Sequence, residues 1–386
     1  MSLKQHVAGL IRQQSERLIE LSHRIHAHPE VGFEEFRSSA WVAESLSAAG
    51  FDVRMGVCDL PTAFSAARGS GALHVGLCAE YDSLPGIGHA CGHNIIAASA
   101  VGAAIGLAAV ADDVDVSVRV LGTPGEEVGD AGGKILMIER GAFDGVHAAM
   151  MVHPAPHDVA TPRLIASSTF DVVYTGKAAH AAMYPELGVN AADALTVAQT
   201  AIGLLRQHIR STDRVHGIVT HGGDAPNIVP ARTGARYMAR ASTLEELQEL
   251  RPRVHRCFEA GALATGAALE IVGGSSPYAE VVHDDVMVAV YRRNAEALGR
   301  RFLESGPAVE RAAASTDMGN VSRTIPSIHP LIGIDSLPAV NHQPEFAAHC
   351  VTAAADRALV DGAIALAWTA IDMATDASLR ARLLAR

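Results

Sequence analysis

The sequence predicts an α/β protein in which a domain built on a mainly parallel sheet carries an inserted ferredoxin-like (βαββαβ) domain. Three observations predict it. A chain of 386 residues is long enough for two domains at roughly 100–200 residues each. Strand-like runs alternate with helical ones at both ends of the chain, the pattern of a parallel sheet covered by helices. Between residues 168 and 277 the order becomes β-α-β-β-α-β, the split βαβ unit. The expected boundaries are 1–167 and 278–386 for the discontinuous first domain and 168–277 for the insertion.

Taken in order, the first 36 residues read as a helix closed by His28-Pro29-Glu30-Val31-Gly32, where Pro and Gly stop the periodicity. A helix follows near Glu35 to Ala49. Next come a strand at 72–78, a helix from Asn94, a strand at 116–122, a helix from Gly132 and a strand at 147–152. In the insertion, strands fall at 168–176, 215–223, 235–242 and 268–274, with helices at 191–209 and 244–265. The α/β pattern resumes with a helix at 284–298, a strand at 328–334 and a long helix from Pro344.

Composition narrows the function. Lys and Arg total 31 against 42 Asp and Glu, a net charge of −11, and aromatics are 4%. That excludes nucleic acid as a partner, since such surfaces are basic and often carry stacking rings. Five scattered cysteines, an odd number, do not form a secreted disulfide framework and fit a reducing cytosol. Cys58, Cys78, Cys257 and Cys350 read as inert core thiols. The leading residues lack the apolar core of a signal peptide, so a cytoplasmic location is expected. Ile95 to Ala111 runs 17 residues without a charge, the lower limit for a bilayer span. Its Ala, Gly and Ser content favours a helix buried on all sides, and no membrane partner is expected.

Three segments carry candidate chemistry. In Gly88-His89-Ala90-Cys91-Gly92-His93-Asn94, a thiolate and an imidazole two residues apart suit a borderline-soft ion such as Zn²⁺; the alternative is a buried Cys near a hydrogen-bonded His. In Gly122-Thr123-Pro124-Gly125-Glu126-Glu127, adjacent carboxylates follow a strand, where open α/β sheets gather ligands; the alternative is solvated surface. Val152-His153-Pro154 ends another strand, and its His is otherwise a turn residue. Three strand ends delivering potential ligands to one rim are hard to explain as packing.

The run AEYDSLPGIGHACGHNIIAASAVG, then GTPGEE with GGK, MVHP, TGKAAHAAMYPELGVNAADA, APNIVP, STDMGNVS and AVNHQPEF resembles the M20 metallopeptidase/amidohydrolase family. It is most similar to the amidohydrolase branch that holds aminobenzoyl-glutamate hydrolases, amino-acid-conjugate hydrolases and certain dipeptidases. The resemblance implies a small-molecule amide substrate, two divalent metal ions (Zn²⁺, alternatively Mn²⁺), and a homodimer formed through the insertion, which serves as lid. It implies Cys91, His93, Glu127, His153 and His342 as ligands, Glu126 as general base and Asp82 as the carboxylate that orients a ligand. It implies His180 as an oxyanion donor from the partner subunit. Asn227 and Arg240 would hold a substrate carboxylate, and Ser315, Thr316 and Gly319 would supply hydroxyl and backbone donors.

The departures are Glu80-Tyr81-Asp82, where many M20 peptidases have His-x-Asp, and Cys91 in a place often held by a bridging aspartate. Two other readings stay open: a metal-independent amidase with Cys91 as nucleophile, and a non-catalytic metal-binding protein. His23, His26 and His28 are left outside the site as a structural helix-turn. The GDAGGK stretch is not a phosphate loop, because Ile135 follows where Ser or Thr is needed.

Overall fold

The computed structural model describes residues 2–304, 306 and 313–385. The chain divides into two compact units: Met1–Val128, Gly132–Leu164 and Val281–Arg386 form the first, and Gly129–Ala131 with Ile165–Glu280 the second.

The first unit is built on a mixed, mainly parallel sheet. Its strands are β1 (Asp52–Met55), β2 (Phe64–Arg68), β3 (Leu73–Ala79), β4 (Val116–Gly122), β5 (Ala148–Met150) and β11 (Ser327–Ile328), in spatial order β1-β2-β4-β3-β5-β11. β3 runs parallel to both β4 and β5, and β5 parallel to β11, whereas β1 and β2 add an antiparallel edge. A parallel sheet is covered on both faces, so its strands read as near-continuous apolar runs, and β3 is buried along almost its whole length. β6 (His153–Ala155) and β12 (Leu331–Gly333) form a separate parallel pair.

The leading segment differs from the single helix expected: α1 (Leu3–Gln13) and α2 (Ser15–His26) break at Gln14. α3 (Phe36–Ala48) follows the Pro-Gly turn. α4 (His93–Ala108) is buried on nearly every face, as its Ala, Gly and Ser content requires, and packs along the helix Ala353–Thr375. That second helix is long and apolar enough to cross a membrane by length and composition, but 72% of its most apolar window is buried. The short α5 (Gly133–Glu139) stands between β4 and β5. The expected strand at 328–334 is two short strands in different sheets, β11 and β12. The C-terminal helix is three: Pro344–His349, Ala353–Thr375 and Ala377–Leu384.

The second unit runs β7 (Ala166–Thr175), α6 (Ala191–Leu205), β8 (Arg214–His221), β9 (Arg232–Ala241), α7 (Leu244–Thr265), β10 (Ala268–Gly273). Its sheet has the order β10-β7-β9-β8, antiparallel throughout. Alternation on β9 buries Thr233, Ala235, Tyr237, Ala239 and Ala241 and puts Arg232, Arg236 and Arg240 on the opposite face. Asn190 and Thr243 accept the first free N–H groups of α6 and α7, the usual N-terminal cap.

Candidate active site

Parallel strands place their carboxyl ends on one side, and the first unit uses that rim. Glu80, Tyr81 and Asp82 follow β3, Glu126 and Glu127 follow β4, and His153 opens β6 beyond β5. His93 begins α4 with Cys91 two residues earlier. His342 sits in the loop before Pro344–His349, in a left-handed conformation (φ 69°) with its N–H donated to Ala90 O at 2.9 Å.

Side chains from these segments converge. Cys91 Sγ is 3.4 Å from His153 Nε2 and 3.7 Å from His342 Nε2. Donor atoms of Cys91, His93 and His153 lie within 4.8 Å of one another, as do those of Cys91, Glu127 and His342. The two triads share Cys91. The imidazoles are turned by acceptors behind them: His93 Nδ1 bonds Asp82 Oδ1 at 2.8 Å, and His153 Nδ1 bonds Pro154 O at 2.8 Å. Each ring therefore directs Nε2 inward, the arrangement typical of histidine ligands. Asp82 also accepts the Glu127 N–H through Oδ2 at 2.8 Å, so one carboxylate orients two candidate ligands. His93 Nε2 and Glu127 Oε1 are buried with no hydrogen-bond partner among the described residues, a costly state unless something else binds them. One thiolate, three imidazoles and a carboxylate fit borderline divalent ions such as Zn²⁺.

Glu126 lies beside this set, its Oε2 3.9 Å from His93 Nε2. Burial, then the Glu80 and Glu127 carboxylates, push it well above the usual carboxylate range. Burial likewise pushes His153 down to about 4. Burial followed by Glu127 raises Cys91 well above a normal thiol, the reverse of what a free thiolate nucleophile needs.

A second polar cluster lies at the base of the rim and was not assigned a role from sequence. Lys134 is fully buried, with Nζ 2.6 Å from Glu80 Oε1 and in contact with Asp317 Oδ1, while its backbone N–H donates to Asp317 Oδ2 at 2.9 Å. Burial opposes charge on Glu80, but the Lys134 ammonium and then His93 outweigh it and hold Glu80 down to about 2. Glu80 Oε2 is 3.5 Å from His93 Nε2.

The model for peptidase family M20/M25/M40 matches residues 76–360. The chain belongs to this family. Among curated M20 relatives, the mouse Xaa-Arg dipeptidase is 40% identical over 96% of this chain and 89% of its own length. One of the p-aminobenzoyl-glutamate hydrolase polypeptides of Escherichia coli K12 is 36% identical over 67% of this chain and 58% of its own length. Among solved structures, a putative aminohydrolase from methicillin-resistant Staphylococcus aureus superposes with a TM-score of 0.75 over 96% of this chain and 99% of its own, at 19% identity. This M20 chain is a metal-dependent hydrolase acting on C–N bonds.

Of the residues singled out in sequence, the M20 fold brings Asp82, Cys91, His93, Glu126, Glu127, His153 and His342 together in the first unit. His180, Asn227 and Arg240 belong to the second. His180 is exposed in a turn, its Nδ1 accepting the N–H of Ala182 (3.3 Å) and Met183 (3.1 Å). That leaves Nε2 as the ring nitrogen able to donate. Asn227 O accepts the Ala181 N–H at 3.0 Å, next to His180, and Arg240 Nε lies 3.4 Å from His216 Nε2 on the neighbouring strand.

Gly319 N–H donates to Thr316 O at 3.1 Å, and Thr316 Oγ1 accepts the Met318 N–H at 3.2 Å. These contacts lie at the start of the helix Met318–Ser322, where the Thr316 hydroxyl accepts and keeps its own proton, and Ser315 is half-buried. Cys58 is half-buried, unlike the core thiols Cys78, Cys257 and Cys350. Glu80, Lys134 and Asp317 went unassigned because their ion pairs join segments far apart in the chain; the GGK element and the loop holding Asp317 were the available signals.

Proposed function

We propose that this chain hydrolyses the amide bond of an N-acyl amino acid or dipeptide-like substrate, with Glu126 as general base and two divalent ions, Zn²⁺ or alternatively Mn²⁺, held by Cys91, His93, Glu127, His153 and His342. The observation that carries this reading is Asp82, which orients His93 and Glu127 while Glu126 stands beside them. When bound, the ions polarise the amide carbonyl and lower the pKa of water. Glu126 takes the proton of the attacking water as the new C–O bond forms at the carbonyl carbon. It then delivers that proton to the departing amine nitrogen as the C–N bond breaks. The His180 Nε2 proton serves the oxyanion, and Arg240 with Asn227 hold the substrate carboxylate.

The second unit is assigned as a ferredoxin-like lid and dimerisation domain, in keeping with its β-α-β-β-α-β order, and the protein as a cytoplasmic homodimer. Dipeptides ending in arginine lead the candidate substrates because the mouse and human relatives are named Xaa-Arg dipeptidases. The test is a pool of dipeptides, N-acyl amino acids and aminobenzoyl-glutamate incubated with metal-reconstituted protein, with cleavage followed by mass spectrometry. Cleavage that stops on chelation supports the reading. Cleavage that persists without metal favours Cys91 as nucleophile, and none at full metal occupancy favours a binding protein. A fully active monomer in sedimentation removes His180 donation from the partner.

A further inference from the structure

The turn at residues 30–35 is more than a link between α2 and α3. Its Glu30 carboxylate caps α3, accepting the N–H groups of Arg37 and Ser38. Glu35 occupies the residue before α3 yet makes no side-chain bond to that helix. Its carboxylate is completely buried and turned away: Oε1 accepts the Gly125 N–H at 2.8 Å, and Oε2 accepts the Thr62 hydroxyl at 2.8 Å. A buried carboxylate is expensive unless its lone pairs are satisfied, and here the partner is the residue immediately before Glu126.

The surrounding contacts share that direction. Gly125 is left-handed (φ 65°), and a Cβ on it would fall 2.8 Å from the Phe33 ring. A Cβ on Gly32 would fall 2.7 Å from Val128 Cγ1 and 3.0 Å from Gly125 Cα. The same turn reaches the other strand end, since Glu30 O accepts the Ser83 N–H at 2.8 Å beside Asp82. The Tyr81 hydroxyl donates to Thr62 O at 2.5 Å. Tyr81, Thr62, Glu35 and Gly125 thus form one hydrogen-bonded chain joining the ends of β3 and β4.

We propose that Glu35 is a positioning residue for hydrolysis, holding the Gly125–Glu126 turn in the orientation that presents Glu126 to the reacting amide. The proposal rests on Glu126 being the base, and Glu35 acts through the backbone rather than on the substrate. Displacing a catalytic group by about 1 Å costs on the order of 100-fold in rate, so that is the scale expected on removing the brace.

The experiment compares Glu35→Ala and Glu35→Gln in the metal-reconstituted full chain, recording kcat, KM and metal-to-protein ratio. Glu35→Ala is expected to lower kcat by about 100-fold with KM and metal content unchanged. Glu35→Gln, which keeps an acceptor for Gly125 and lets the Thr62 hydroxyl accept, recovers most of that loss. In a Glu126→Gln background, Glu35→Ala adds no further loss. Native kcat in Glu35→Ala, a loss that follows metal content or KM alone, or an additive loss in the double variant overturns the proposal. If Glu35→Ala does not fold by circular dichroism, Thr62→Val carries the test: lowered kcat at full metal content supports it, and native kcat overturns it. Native activity in Glu126→Gln alone refutes the base assignment instead, and so separates the two failures.

Discussion

Asp82 Oδ1 lies 2.8 Å from His93 Nδ1, with both residues buried. The same carboxylate holds the Glu127 backbone through Oδ2. Replacing it by Asn puts an amide N–H at one of two positions that now only accept. Asp82→Asn is expected to weaken metal binding by roughly 10- to 100-fold, the usual cost of losing a partner behind a ligand. Competition against a chromophoric chelator measures this independently of turnover, and native affinity contradicts the orienting role.

Glu126→Gln keeps the shape of the side chain and removes its basicity. Activity is expected to fall by about 10²- to 10⁴-fold while metal content and thermal unfolding stay as in the parent. Near-parental turnover sinks the assignment of Glu126.

Lys134 is a buried cation between Glu80 and Asp317. Lys134→Met leaves both carboxylates without their counter-ion, and breaking a buried pair on one side costs about 3–5 kcal/mol. The triple variant Lys134→Met with Glu80→Gln and Asp317→Asn removes the charges together and is expected to recover much of that loss. Denaturant unfolding reads both. A single variant as stable as the parent shows that Lys134 contributes nothing to the frame.

His329 is buried with neither ring nitrogen hydrogen-bonded among the described residues, and burial pushes it down to about 3. In the unfolded chain it titrates near about 6.5. Between those values the unfolded state binds more protons, so stability rises with pH. Its contribution is full above about 6.5 and is lost as pH falls toward 3. Metal-free protein is expected to unfold more easily at about pH 5 than at about pH 7, and His329→Leu to show a flatter dependence. An unchanged slope in the variant removes His329 as a source.

Long, regular patterns were legible. β4 and α7 lie where alternation and capping put them, because local preference and burial agree. β1 and β2 were not read: β1 is short and mostly exposed, so it shows little alternation. The run 328–334 reads as one strand, but Pro330 interrupts it and the two pieces join different sheets. At the site, residue type announced Cys91, His93, Glu126, Glu127 and His153. The roles of Glu35 and Lys134 were hidden, because each depends on a partner 90 or 183 positions away, and only the folded chain sets those distances.

The spacing of the proposed ligands along the chain has a consequence during synthesis. Cys91 and His342 are 251 positions apart, and translation delivers the first long before the second. A nascent chain that has passed His153 holds the donors of one triad, while the other waits for the loop before Pro344–His349. The complete donor set exists only once the last quarter of the protein has docked. On the proposed ligand set, a chain that stalls before His342 lacks one donor of the second triad.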